Sequence, residues 1–131
     1  MGVVLLDTSI VIAVLNRDDA LHEVASQAVL GERDRNALAI SALTYAELLV
    51  GPLRAGGRAL EVVERFAAQV QIIDLSPEIA RRAAEERVAR GLKLPDAVIV
   101  ATGLLHADLI LTADARWKGV DHRVTVVNPR R

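Results

Sequence analysis

Four acidic residues stand where the chain is otherwise apolar. Asp7 follows Val3-Val4-Leu5-Leu6, Glu47 lies inside Ala42-Leu43-Thr44-Tyr45-Ala46-Glu47-Leu48-Leu49, Asp96 follows Leu94-Pro95, and Asp114 follows Leu109-Ile110-Leu111-Thr112-Ala113. An ionised carboxylate in a desolvated setting is costly unless a cation, a proton or strong hydrogen bonds compensate it. Several together therefore ask for a divalent cation. A divalent cation held by a few carboxylates, keeping several waters, can activate water and offset developing negative charge. The chain has no cysteine, which excludes disulfides, thiolate metal sites and a cysteine nucleophile. His22, His106 and His122 show no metal-ligand spacing and read as structural or surface residues.

Such residues need a scaffold that gathers them. Short apolar, β-branched runs at Val3–Leu6, Ala37–Ile40, Val70–Ile73, Leu109–Thr112 and Val124–Val127 read as strands. Helical spacing is expected at Ile10–Leu15, Leu21–Leu30, Ala42–Val50, Ala59–Gln69, Pro77–Arg90 and Pro95–His106. Ser76-Pro77 reads as an N-cap followed by proline at the first helical position, Gly91 as a helix end, and Gly51-Pro52 as a stop or bend after Glu47. Strands alternating with helices predict an α/β fold, a three-layer α/β/α sandwich around a mostly parallel five-stranded sheet, in a single domain spanning residues 1–131.

In an open parallel sheet, ligands bind beyond the carboxyl ends of the strands. Asp7 and Asp114 directly follow strands, so both are expected on that edge. The helix opening at Asp96 leads straight into the strand before Asp114, and its start should return to the same edge. Glu47 is expected to point there from an inward stripe with Leu43, Ala46 and Val50. Each acid also has an ordinary reading: Asp7 and Asp114 as helix caps, Asp96 as a complement to a helix dipole. One metal site accounts for all four at once.

Sixteen Lys and Arg oppose seventeen Asp and Glu, for a formal charge of −1. With the four acids gathered at one site, thirteen acids face sixteen bases elsewhere, so a basic rim around an acidic hole is expected. Tyr45, Phe66 and Trp117 are the only aromatic residues, so phosphate contacts rather than base stacking should dominate any grip on nucleic acid. Arg54, Arg58, Lys93, Arg116 and Lys118 lie near the four acids or the segments that carry them and are the candidate contacts. Asp7 interrupts the first apolar stretch, and Ala97–Leu105 is too short to span a bilayer. A cytoplasmic protein without a membrane segment is expected. A mean hydropathy of +0.30 points to more apolar surface than a small monomer readily buries, and thus to a homodimer.

Taken in order, the motifs resemble the PIN-domain ribonucleases, and among them the VapC toxins of toxin–antitoxin pairs. Leu5-Leu6-Asp7-Thr8-Ser9 is similar to the family's first motif and Ser41-Ala42-Leu43-Thr44-Tyr45-Ala46-Glu47-Leu48 to its central Glu helix. Gly91-Leu92-Lys93-Leu94-Pro95-Asp96-Ala97-Val98-Ile99-Val100-Ala101-Thr102 resembles the third motif, and Leu111-Thr112-Ala113-Asp114-Ala115-Arg116-Trp117 the fourth. The resemblance implies that Asp7, Glu47, Asp96 and Asp114 are catalytic and metal-binding, with hydroxyl support from Thr8, Ser9 and Thr112. It implies an RNA substrate, Mg²⁺ or Mn²⁺, and a VapB-type antitoxin as partner. Some relatives carry a further acid just after the fourth motif; here Arg116, Trp117 and Lys118 follow. Asp108, where relatives often have a small residue, reads as part of a solvated turn. Other readings are a receiver-like Mg²⁺-binding signalling domain, a PIN nuclease of RNA processing without a toxin role, and a binding module that has lost catalysis. A receiver would carry an acidic pair after its first strand and a later lysine, whereas Asp7 stands alone there.

Overall fold

A computed structural model describes residues 2–127; Met1 and residues 128–131 of the expected 1–131 span lie outside the described residues. Its strands are β1 (Val3–Leu6), β2 (Ala37–Ser41), β3 (Gln71–Ile73), β4 (Leu109–Thr112) and β5 (Val124–Val126). The helices are α1 (Thr8–Leu15), α2 (His22–Arg33), α3 (Ala42–Ala55), α4 (Arg58–Ala67), α5 (Pro77–Arg90) and α6 (Leu94–His106), with a 3₁₀ turn at Ala115–Trp117.

The strands form one sheet in the order β3-β2-β1-β4-β5, with every pair parallel. β1 is buried on both faces because helices cover both. Val4 and Leu6 pack with Ile10, Val11, Val29 and Leu48 on one side, while Leu5 packs with Ile99, Val100, Leu104 and Ile110 on the other. That is why its apolar run is continuous rather than alternating. The chain winds outward from β1 through β2 to β3, then crosses back so that β4 pairs with the other side of β1. The switch point, where crevices form in such sheets, lies between β1 and β4. A receiver-type sheet, ordered 2-1-3-4-5, puts its third strand in that place.

One local expectation is corrected. The Glu47 helix does not stop or end at Gly51-Pro52; α3 runs on to Ala55. Inside a helix proline forfeits one hydrogen bond and crowds the carbonyl four residues back, here that of Leu48, while Gly51, having no Cβ, removes part of the further clash with the preceding residue; Gly56 then ends the helix at φ +71°. Asp108 is exposed in the bend before β4, as the sequence led one to expect, and it also makes a tether. Its Oδ2 accepts the Val3 N–H at 2.8 Å while its own N–H donates to Val3 O at 2.8 Å, fastening the start of β1 to β4.

Gly103 sets how closely α6 lies on the sheet, because a Cβ there would drive into the Ile110 side chain and crowd Leu5. Ile110 is wholly buried and cannot swing aside. Gly103→Ala should therefore destabilise the protein by about 1–3 kcal/mol despite alanine's better helix propensity. Urea unfolding would check this; a stabilised variant would show that the helix can lift off the sheet without cost.

Candidate active site

Asp7 is the first residue past β1 and pairs across to β4, its N–H donating to Leu111 O at 2.9 Å. Its side chain caps α1, Oδ1 accepting the Thr8 N–H at 2.8 Å. The other oxygen, Oδ2, accepts hydroxyls from Ser9 and Thr112, each at 2.8 Å. Both hydroxyls are themselves held, since Ala113 N–H donates to Ser9 Oγ (3.1 Å) and Asp114 N–H to Thr112 Oγ1 (3.0 Å). The loop after β4 is thus tied through two hydroxyls to one carboxylate. Asp7 is 6% exposed and has no Lys, Arg or His partner among the described residues. Burial raises its pKa above the ordinary aspartate range against the pull of these hydrogen bonds, and nearby Asp96 raises it further.

Asp96 sits in the first turn of α6, which the return of that helix into β4 brings to the same edge. It is partly buried, and its side chain accepts no hydrogen bond from the described residues. Desolvation raises its pKa, and the negative charge of Asp114 adds to the effect. Asp114 behaves oppositely. Arg116 clasps it through Nε (3.0 and 3.1 Å) and Nη2 (2.6 Å), and its own N–H completes a cap at 2.9 Å. Those bonds hold the Asp114 carboxyl below its usual pKa. The ordinary capping roles of Asp7 and Asp114 therefore coexist with their place at the site.

Glu47 stands apart from this trio. The expected inward stripe of Leu43, Ala46 and Val50 is wrong: α3 buries Thr44 and Leu48, while Ala46, Glu47 and Val50 are exposed. Apolar residues surround Glu47 in sequence on most sides, so spacing alone could not choose the face. Glu47 still reaches the site edge, because Thr8 Oγ1 donates to its Oε1 at 2.6 Å. Thr8 Oγ1 is also 2.9 Å from Thr44 Oγ1. Thr44, wholly buried one turn before Glu47, is the residue that sequence reasoning missed. A hydroxyl in an otherwise apolar helical run at that spacing was the available signal.

Among the described residues, no three acidic or histidine side chains are gathered tightly enough to grip one ion unaided. The donor set nevertheless fits a hard cation: it is all oxygen, and its buried member, Asp7, lacks a basic partner beside a second carboxylate, Asp96. Mg²⁺ commonly takes one or two carboxylates and keeps several waters.

A family model for the PIN domain matches residues 4–123. The chain belongs to the PIN-domain family. No curated protein sequence matches it significantly. Among solved structures, it is similar to a toxin–antitoxin complex from Klebsiella pneumoniae at 29% identity and TM-score 0.81, covering 95% of this chain and 98% of that one. VapBC2 from Rickettsia felis, bound to a DNA fragment from the promoter, is 18% identical at TM-score 0.75, over 96% and 99% of the two chains. VapC20 from Mycobacterium tuberculosis, a sarcin–ricin loop cleaving toxin, is 22% identical at TM-score 0.63, over 78% and 82%. These last two likenesses concern the fold. The PIN assignment closes the receiver reading, as the strand order does independently.

Around this PIN-domain site, the five candidate basic contacts separate. Lys93 and Arg116 border a cavity that includes Asp96, whereas Arg54 and Arg58 project from the α3–α4 corner and Lys118 is exposed beyond the 3₁₀ turn. His22 is structural, its Nδ1 lying 2.8 Å from Ala13 O. No helix is long and apolar enough to cross a membrane among the described residues.

Proposed function

We propose that this PIN domain is a Mg²⁺-dependent endoribonuclease, with Mn²⁺ as a substitute, and the toxin of a type II toxin–antitoxin pair. The observation that carries the nuclease reading is Asp7: a buried carboxylate with no basic partner, beside Asp96, at the sheet's switch point. With Asp114 already answered by Arg116, Asp7 and Asp96 are the pair that would hold an ion, with Asp114 and Glu47 as the further acids that would complete its site. Bound there, the cation supplies Lewis-acid polarisation of the phosphate and an activated water.

The chain's own residues supply the rest. The Ser9 and Thr112 hydroxyls and the Thr8 N–H fix both oxygens of Asp7, so the carboxylate is set before substrate arrives. Thr8 Oγ1 fixes one oxygen of Glu47, leaving the other to orient the attacking water and take its proton. Basic side chains on the rim, Lys93 among them, meet the phosphates of the strand.

Two features support the association reading. An apolar groove of about 390 Å³, lined by Ile12, Leu15, Leu48, Pro52 and Val62, opens beside Glu47, so an antitoxin segment seated in it would reach the site. Exposed Val50 (51%) and Leu53 (63%) leave apolar surface for a homodimer. The similarity to a toxin–antitoxin complex over nearly the whole chain favours a toxin over a processing nuclease.

The test is cleavage of single-stranded and structured RNA with Mg²⁺ or Mn²⁺, repeated in excess chelator, alongside growth after expression with and without a candidate VapB-type antitoxin as partner. Metal-dependent cleavage and growth arrest relieved by that partner are expected. Full activity in chelator would overturn the metal mechanism. Cleavage without growth arrest would leave a nuclease of another cellular role.

A further inference from the structure

α5 ends at Arg90, Gly91 reverses the chain at φ +71°, and α6 begins within three residues, so the corner between them lies against Asp96 and the 3₁₀ turn. A cavity of about 270 Å³ opens there, lined by Arg90, Lys93, Asp96, Arg116 and Trp117 with the corner backbone. Three cations thus face one carboxylate.

Two of the cations are tethered in the same way. Arg116 is held to Asp114 through Nε and Nη2, leaving Nη1 without a protein acceptor among the described residues. Arg90 is held through Nε to Glu86 Oε1 at 2.6 Å, leaving both Nη groups without one. Glu86 is itself unusual, a carboxylate 7% exposed on α5 and bound on its other oxygen by Arg82 Nε at 3.0 Å. Burying a charge to build an ion pair gains little stability, because desolvation offsets the attraction. It does fix a guanidinium in one orientation, and an oriented guanidinium presents paired donors that match two phosphate oxygens. Trp117 lines the same cavity, and its Nε1 is the one buried side-chain nitrogen or oxygen without a partner among the described residues.

We propose that this cavity is a subsite for the RNA backbone phosphate next to the one cleaved, held by Arg90, Lys93 and the free edge of Arg116, with Glu86 as the residue positioning Arg90. This rests on the nuclease reading, since it places the subsite beside Asp96. A tetrahedral anion suits the site better than a base, because Trp117 is buried and offers no stacking face. Arg90, from the end of α5, is a contact that proximity to the motifs did not single out.

Trp117 is the only tryptophan, so its emission reports on the cavity. The full chain, in excess chelator, is titrated with inorganic phosphate and separately with a short single-stranded RNA at several salt concentrations. A saturable change in Trp117 emission with phosphate is expected, weakened in Arg90→Gln and in Lys93→Gln. RNA affinity should fall roughly fivefold in each variant, and the slope of log affinity against log salt should drop by about 0.7 per lost contact. Arg90→Lys should restore the slope but only part of the affinity, because it keeps the charge and loses the fork. Lys93 has no ion-pair partner among the described residues, so its variant tests the site even if Arg90→Gln folds poorly. Glu86→Gln should raise KM for RNA with kcat held, whereas a purely structural role would lower the melting temperature and leave KM unchanged.

Unchanged affinity and slope in both Arg90→Gln and Lys93→Gln, in a protein that cleaves RNA, would overturn the subsite and leave the nuclease standing. The emission change and its dependence on both residues, in a protein that cleaves no RNA with Mg²⁺ or Mn²⁺, would support the anion site and overturn the nuclease. Neither response nor cleavage would overturn both.

Discussion

Asp7→Asn is expected to lower RNA cleavage by about 10²–10⁴-fold, the largest loss of any single replacement at the site. The substitution removes the charge of the one buried carboxylate without a basic partner, and it also mismatches its surroundings. Ser9 Oγ and Thr112 Oγ1 both donate to Oδ2, and each already accepts a backbone N–H from the loop after β4. The amide nitrogen has no good place: at the Oδ2 position it meets two hydroxyl protons, and flipped to Oδ1 it meets the Thr8 N–H, so either the loop carrying Asp114 or the α1 cap loosens. Glu47→Gln should also be nearly inactive, but with its fold unchanged, because the amide oxygen still accepts from Thr8. Thr8→Val should lose less, roughly tenfold, since it frees Glu47 without removing a charge. Initial rates on a labelled RNA, with circular dichroism to verify folding, measure the series. Asp7→Asn at wild-type rate would remove Asp7 from the mechanism, and Thr8→Val at wild-type rate would show that Glu47 needs no orienting.

The sequence made Asp7, Asp96 and Asp114 legible for a reason of geometry. A residue directly after a buried parallel strand must sit at the sheet's carboxyl edge, and a helix that runs back into such a strand must begin there. Five strands and six helices follow from the same alternation, and the errors fall at ends, as at Gly51-Pro52, where the helix carries a proline in its interior rather than ending at it. Rotation about a helix axis is harder to read. α3 carries apolar residues on almost every side, and its orientation is set by the Ser41 cap and by Leu48 entering the core beside β1, neither of which the spacing reveals. Hence Glu47 was placed inward and Thr44 was missed. Pairings between flexible side chains are least legible. Arg116 could have faced a phosphate or a carboxylate, and only the turn that brings its N–H onto Asp114 shows that the carboxylate two residues earlier claims it.

Asp96→Asn should raise the melting temperature of the metal-free protein at neutral pH, by a few degrees at most because water and the nearby Arg116 and Lys93 screen the charge. It should also shrink the further rise that Mg²⁺ produces. Desolvation first, and the neighbouring charge of Asp114 second, raise the folded-state pKa of Asp96. Such an acid binds more protons folded than unfolded between the two pKa values. Stability therefore falls as pH rises through the unfolded pKa and then the folded one, and stays lower above both. Asparagine removes that penalty, and because the Asp96 side chain accepts no hydrogen bond from the described residues, it forfeits none. Asp7→Asn offers no such clean comparison, since at least one of its three hydrogen bonds is lost along with the charge. On the proposed metal reading, Mg²⁺ would bind only the folded state and stabilise the wild type by an amount set by its affinity, which would depend on the Asp96 carboxylate. The two effects of one substitution thus carry opposite signs, and melting curves from pH 4 to 8, with and without Mg²⁺, separate them. If Asp96→Asn lowers metal-free stability and leaves the Mg²⁺ increment unchanged, Asp96 complements the α6 dipole instead. The ion would then have to be held at Asp7 without it.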